Sequence, residues 1–228
     1  MEKQVGLLAL CAVLLAAACI PVPVIAPPMK MTLGGGPAFG DLNDDRFGEQ
    51  EDSAGAFSLT AAIHPMQYFT EELVLDLGAG FVFETFPNES LRTSPLVGAH
   101  FEVGYALWMS GDMSKGESQG RLYLIGRGEA LSNTGPRGSS GLGVGVGLGL
   151  ELVSWQDNPV ARIGLNSDAD GDVDLSSFAG YVIGEMGIGA EIMYQTRQVG
   201  PQDYDAVFFR LIFRSPTTLG LLLLPVGS

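Results

Sequence analysis

Basic residues are scarce in this chain: 12 Lys and Arg stand against 26 Asp and Glu among 228 residues, a formal net charge of −14. So acidic a protein has no cationic surface with which to grip a phosphate backbone, which excludes nucleic acid as a partner. Charge of either sign is also thin, at 17% against about 25% in ordinary soluble domains. Only two cysteines occur, Cys11 and Cys19. No apolar run reaches the roughly 20 residues that a membrane-crossing helix needs, and from Met29 onward no window has helical spacing. What is plentiful is glycine, 32 residues, alongside a mean hydropathy of +0.24. Few charges and an apolar average do not describe disorder, and the length suits one domain of about 200 residues behind a leader.

The leader is residues 1–18. Lys3 precedes an apolar stretch from Val5 to Ala18 that ends on Ala16, Ala17 and Ala18, the form of a secretory signal peptide. Pro21 and Pro23 stop any helix from continuing. Leu15-Ala16-Ala17-Ala18-Cys19 resembles a bacterial lipoprotein box, which implies an N-terminal lipid on Cys19; ordinary cleavage after the alanines is the alternative. With Cys11 lost in the leader, Cys19 would be a lone thiol in an oxidising compartment, and acylation would cap it. Residues 19–28 read as a short Pro-rich tether and 29–228 as the folded domain.

That domain reads in twos. Leu142, Val144, Val146, Leu148, Leu150 and Leu152 alternate with four glycines and Glu151, a pattern no helix can use. Leu73 to Phe83 alternates in the same way, and similar segments cover about Met29–Phe39, Gly55–His64, Leu96–Met109, Gly120–Ala130, Phe178–Tyr194 and Tyr204–Arg214. About eight strands result, or ten if Pro159–Leu165 and the apolar tail Leu219–Leu224 are also strands. Most exceed the usual five or six residues and match the 9 to 11 of a tilted membrane-crossing strand.

Charges within the strands keep to one parity. Glu72, Asp76 and Glu84 share one, as do Arg121, Arg127 and Glu129, Glu185 and Glu191, and Arg210 and Arg214, while the opposite rows are free of charge apart from Asp205 at the start of its strand. The polar rows also carry small residues, including Gly98, Gly104, Gly187 and Gly189, which suits a cramped interior, and their cations are almost all Arg, which pairs with carboxylates and tolerates burial. The polar rows are therefore expected inside and the apolar rows outside.

Signal peptide, alternating strands, polar loops and aromatics near strand ends, where an outer aromatic girdle would sit (Phe86, Tyr105, Trp108, Trp155, Tyr194, Tyr204), together resemble the small outer-membrane β-barrel proteins, the OmpA/OmpX-like group. The resemblance implies an all-β, antiparallel up-and-down transmembrane β-barrel in the outer membrane of a Gram-negative bacterium, with outer-membrane lipid and the barrel-assembly machinery as partners. It implies little about activity.

Two sets of side chains stand out. Asn166, Asp168, Asp170, Asp172 and Asp174 place oxygens at alternate positions around Gly171, resembling an EF-hand calcium loop; Ser177 replaces the closing Glu, and the alternative is a solvated acidic hairpin loop. Glu72, Asp76, His100, Glu102, Arg121 and Arg127 are expected to form an ion-paired network that fills the lumen. His100 and Glu102 suggest a hydrolase only if a Ser accompanies them, and spacing supplies none. The expected function is non-enzymatic: a plugged barrel with a structural, adhesive or surface-interaction role. The alternatives are a periplasmic lipocalin-like barrel with an apolar ligand inside, and a narrow channel or lipid-modifying barrel enzyme.

Overall fold

The computed structural model of the chain describes residues 22–42, 53–69, 73–87, 94–135, 138–159 and 180–222. Ten strands occur: β1 (Val22–Ala26), β2 (Met29–Asp41), β3 (Ser53–Ile63), β4 (Leu75–Thr85), β5 (Leu96–Ser110), β6 (Gln119–Asn133), β7 (Ser140–Pro159), β8 (Gly180–Val199), β9 (Gln202–Ser215) and β10 (Thr217–Leu222). Among the described residues no helix is long and apolar enough to cross a membrane, which does not bear on crossing by strands.

The larger compact unit holds residues 27–156 and 184–216. In it β2 to β9 pair antiparallel with their sequence neighbours, and β9 also pairs with β2, so eight strands close a ring. Closure leaves no strand edge unpaired around the ring. The ring closes on Tyr204–Arg214 and its flanks, so the apolar tail follows the closing strand. The ten-strand alternative fails for the ring itself.

The smaller unit takes residues 1–26, 157–183 and 217–228. Here β10 pairs antiparallel with β1, Val24 opposite Gly220, and with the first residues of β8, Thr218 opposite Val182. Val22–Ala26, with Pro23 among its residues, is a paired strand.

Within the ring, burial repeats the period of two. Along β6 every odd residue from Gln119 to Asn133 is buried, and in β9 every even residue from Gln202 to Arg214. One local irregularity re-aims a side chain: the β5–β6 register shifts between Ala106 and Trp108, and this bulge turns both Leu107 and Trp108 to the outside.

The strand ends at Asp41, Ser53, Thr85, Leu96, Asn133 and Ser140 and the turn at Gly200-Pro201 lie at one end of the ring, called upper here. At the lower end β2 begins and β9 ends. Two lower turns are short 3-10 segments, Pro65–Tyr68 and Met113–Lys115, and each sends one side chain, Gln67 or Met113, into burial. The second is fixed locally: Asp112 accepts from Ser114 N at 3.1 Å, and Gly116 closes it at φ 76°.

Candidate functional site

The interior of the ring is the chemically dense part of the molecule. Among the described residues, six cations (Lys30, Arg121, Arg127, Arg197, Arg210, Arg214) and seven carboxylates (Asp76, Glu84, Glu102, Glu129, Glu151, Glu185, Glu191) are buried there. The interior is thus within one charge of neutral, and the chain's excess of negative charge resides elsewhere.

The charges form a column in three tiers. In the upper tier Arg197 lies 2.5 Å from Glu84 Oε2 and donates to Glu129 Oε2 at 2.8 Å, while Tyr204 Oη donates to Glu84 at 2.7 Å. In the middle tier Glu102 accepts from Lys30 Nζ at 2.9 Å and from Arg127 Nη2 at 2.6 Å, and Glu191 accepts from Arg210 Nη1 at 3.1 Å. In the lower tier Arg214 donates to Glu151 and Asp76, both at 2.6 Å, and Arg121 lies 2.5 Å from Glu185. Charge-assisted forks of this kind satisfy groups whose burial alone would be costly.

Room for the column comes from β7. Its inward residues from Gly141 to Gly149 are all glycine, and a Cβ on Gly143 would lie 3.0 Å from both Arg197 Cγ and Glu129 Oε2. Long side chains from β8 and β9 occupy the space the glycines leave. The alternation Leu-Gly-Val-Gly therefore serves two faces at once: bulk outside, vacancy inside.

Above the column sits an apolar plug: Leu42, Val82, Phe86, Leu96, Leu131, Val199 and Phe208 pack together at the upper end. Phe208 joins the two layers, with the Arg210 and Arg197 guanidinium carbons 4.4 Å and 5.2 Å from its ring centroid. Phe86 and Tyr204 stack edge-on inside, with ring centroids 5.3 Å apart. That corrects their assignment to an outer aromatic girdle: both have the inward parity of their strands. Tyr105, Trp108 and Tyr194 do face outward, each about half exposed.

Of the residues singled out from the sequence, Asp76, His100, Glu102, Arg121 and Arg127 all line the interior. Glu102 and Arg127 pair directly, whereas Asp76 and Arg121 pair with Arg214 and Glu185 instead. His100 has neither ring nitrogen hydrogen-bonded among the described residues. Glu72, Cys19 and the set Asn166, Asp168, Asp170, Asp172 and Asp174 lie outside the described residues. Sequence reasoning placed Glu129, Glu185, Glu191, Arg210 and Arg214 on the inward rows without assigning partners. It missed Arg197, because β8 was ended too early at Tyr194.

His64 holds a position between carboxylates: Nδ1 lies 2.8 Å from Asp76 Oδ1 and Nε2 3.2 Å from Glu102 Oε1. Both nitrogens face carboxylate oxygens. A Cβ at Gly78 would overlap this ring. Among the described residues no three His, Cys, Asp or Glu side chains are grouped to hold a metal ion.

The outside of the ring is the inverse of the inside. Leu142, Val144, Val146, Leu148, Leu150 and Leu152 on β7 are 44–70% exposed, and the outward rows of the other strands include Phe81, Phe101, Ile188, Phe209 and Leu211, all more than half exposed. Compared with family models, with curated proteins and with solved structures, the chain matches none.

Proposed function

We propose that this chain is an outer-membrane β-barrel protein of a Gram-negative cell envelope, with a sealed interior and a structural or surface-interaction role carried by its loops. The observation behind this reading is the inversion of burial, with thirteen charged side chains inside and rows of large apolar ones on every strand of the outside. In water such a coat far exceeds the few hundred Å² of contiguous apolar surface that monomers tolerate.

Its height supports the same reading. The outward apolar row on β7 runs from Leu142 to Leu152, with Ser140 and Ser154 at its two limits. Ten residue steps are about 34 Å along a strand, or roughly 26 Å along the axis at a tilt of about 40°, close to the apolar band of about 25 Å on such barrels. A lipocalin-like arrangement would need these rows turned inward. The signal peptide, the lipid on Cys19 and assembly by the barrel machinery belong to the same proposal.

The interior argues for a plug. Apolar packing at the upper end and interlocked ion pairs beneath leave the wall supported from within, so the loops are the part free to meet a partner.

Electrophoresis of the detergent-folded protein with and without boiling tests the reading. A closed membrane barrel stays folded in SDS until heated, so two mobilities are expected, converging after boiling. A single mobility, together with solubility free of detergent after Cys19→Ser, would sink it.

A further inference from the structure

The outer coat is not uniform. On the face formed by β6 to β9 two adjoining depressions of about 690 Å³ and 370 Å³ share Leu150 and Ala190. Ala190 makes them: it is the small residue on an outward row between Ile188 and Ile192, opposite Leu211 on β9, so the coat dips where its neighbours stand out. The larger depression begins at Trp108 and Gly120, beside the lower ends of β5 and β6, and the smaller reaches Leu148 and Phe209 in the middle of the wall. The larger volume is within the range of about 300–1,000 Å³ typical of small-molecule sites.

One end of this groove differs from the rest. Beyond Trp108 and Gly120 comes the turn Gly111–Ser118, which carries Lys115, the one basic side chain outside the interior among the described residues, together with Asp112 and Glu117. Lys115 Nζ lies 2.7 Å from Asp112 Oδ2 and is well exposed. The Lys115 ammonium and the Ser114 hydroxyl hold the Asp112 carboxyl below its usual range, so the turn presents both signs of charge at neutral pH. An apolar groove that meets a turn bearing one ammonium and two carboxylates has the complementarity of an amphiphile with a zwitterionic head.

We infer that the groove at Ala190 seats an acyl chain of a zwitterionic phospholipid, its phosphate toward Lys115 and its ammonium toward Asp112 and Glu117. The inference rests on the membrane-barrel reading. Trp108, turned outward by the β5 bulge, stands over Gly120 at the junction of head and chain, the level at which indoles favour membranes.

The test uses the full chain folded in detergent and mixed with phosphatidylethanolamine or phosphatidylglycerol bearing identical acyl chains, with retained lipid read by native mass spectrometry. Wild type should retain one phosphatidylethanolamine at least fivefold in preference to phosphatidylglycerol. Ala190→Phe, which fills the groove from the outside, should cut retention about fivefold, and Lys115→Gln should abolish the preference between heads while the chain still binds. Should Ala190→Phe lose its heat-dependent mobility, Trp108→Ala removes the other wall and reads the same loss. Equal retention of the two lipids, or undiminished retention in the filled variant, overturns the inference while leaving the barrel intact. High-yield cross-linking between copies through Ala190→Cys also overturns it, by assigning the groove to a second molecule. Absence of the heat-dependent mobility in wild type removes the barrel reading itself.

Discussion

Arg127 shows how closely the interior is set. Its Nη2 lies 2.6 Å from Glu102 Oε2 and 3.4 Å from Glu191 Oε1, all three side chains buried. Arg127→Met would leave two carboxylates short of one cation. Because Glu102 keeps Lys30 and Glu191 keeps Arg210, the loss should fall near the low end for a broken buried pair, about 3 kcal/mol. Adding Glu102→Gln should restore part of it, since the second change removes the charge that the first left exposed to a poor medium. Urea unfolding of the detergent-folded protein, followed by Trp fluorescence, measures both; a single variant no worse than a loop substitution would contradict the account. None of these partnerships was legible in the sequence. Parity assigned Arg127 and Glu102 to the same side of the wall, but which carboxylate an arginine reaches depends on ring closure, and Asp76 finds Arg214, 138 positions away, where Arg121 had been expected to share its network.

In the strands themselves, legibility was high for a physical reason. A wall with apolar matter on one side and packed charge on the other writes its period of two into every strand, so all eight ring strands were located, with ends misplaced by up to seven residues at Pro159. Ends fail because alternation fades where a strand leaves the apolar band, as in Ser154 to Pro159, and nothing in the pattern says where pairing stops. Phe86 and Tyr204 were misassigned for a related reason: nearness to a strand end does not fix the face, which parity does. The same duality gives glycine two meanings. Gly145 faces inward, where a Cβ would meet Gln195 Cγ at 2.6 Å, whereas Gly126 faces outward with nothing within 4 Å. Gly145→Val should cost about 1–3 kcal/mol by overpacking. Gly126→Val, adding apolar bulk to the coat, should change stability by less than about 0.5 kcal/mol. Urea midpoints of the two variants, compared side by side, decide the matter, and equal losses would mean that the two faces are not so different.

The ring as a whole binds its early strands to its last one, β9. Tyr204 and Arg214 of β9 reach Glu84 and Asp76 of β4, Arg210 reaches Ser58 of β3, and β9 completes the ring against β2. A chain cut once within the upper loop 42–52 keeps every one of these links. A chain ending before Gln202 loses them all, leaves the ring open, and takes Arg214 from Asp76 and Glu151 and Tyr204 from Glu84. Limited proteolysis should therefore yield a nicked protein that still migrates as one folded species until boiled, while a chain truncated at Val199 should show no heat-dependent mobility at all. Folded migration by the truncated chain would refute that dependence. The consequence reaches to biosynthesis: β9 is made after every other strand of the ring, so until it appears the ring stays open and Asp76 and Glu151 lack Arg214. Short of that point the apolar rows are unshielded, and a chain stalled before Gln202 should aggregate where the longer chain does not.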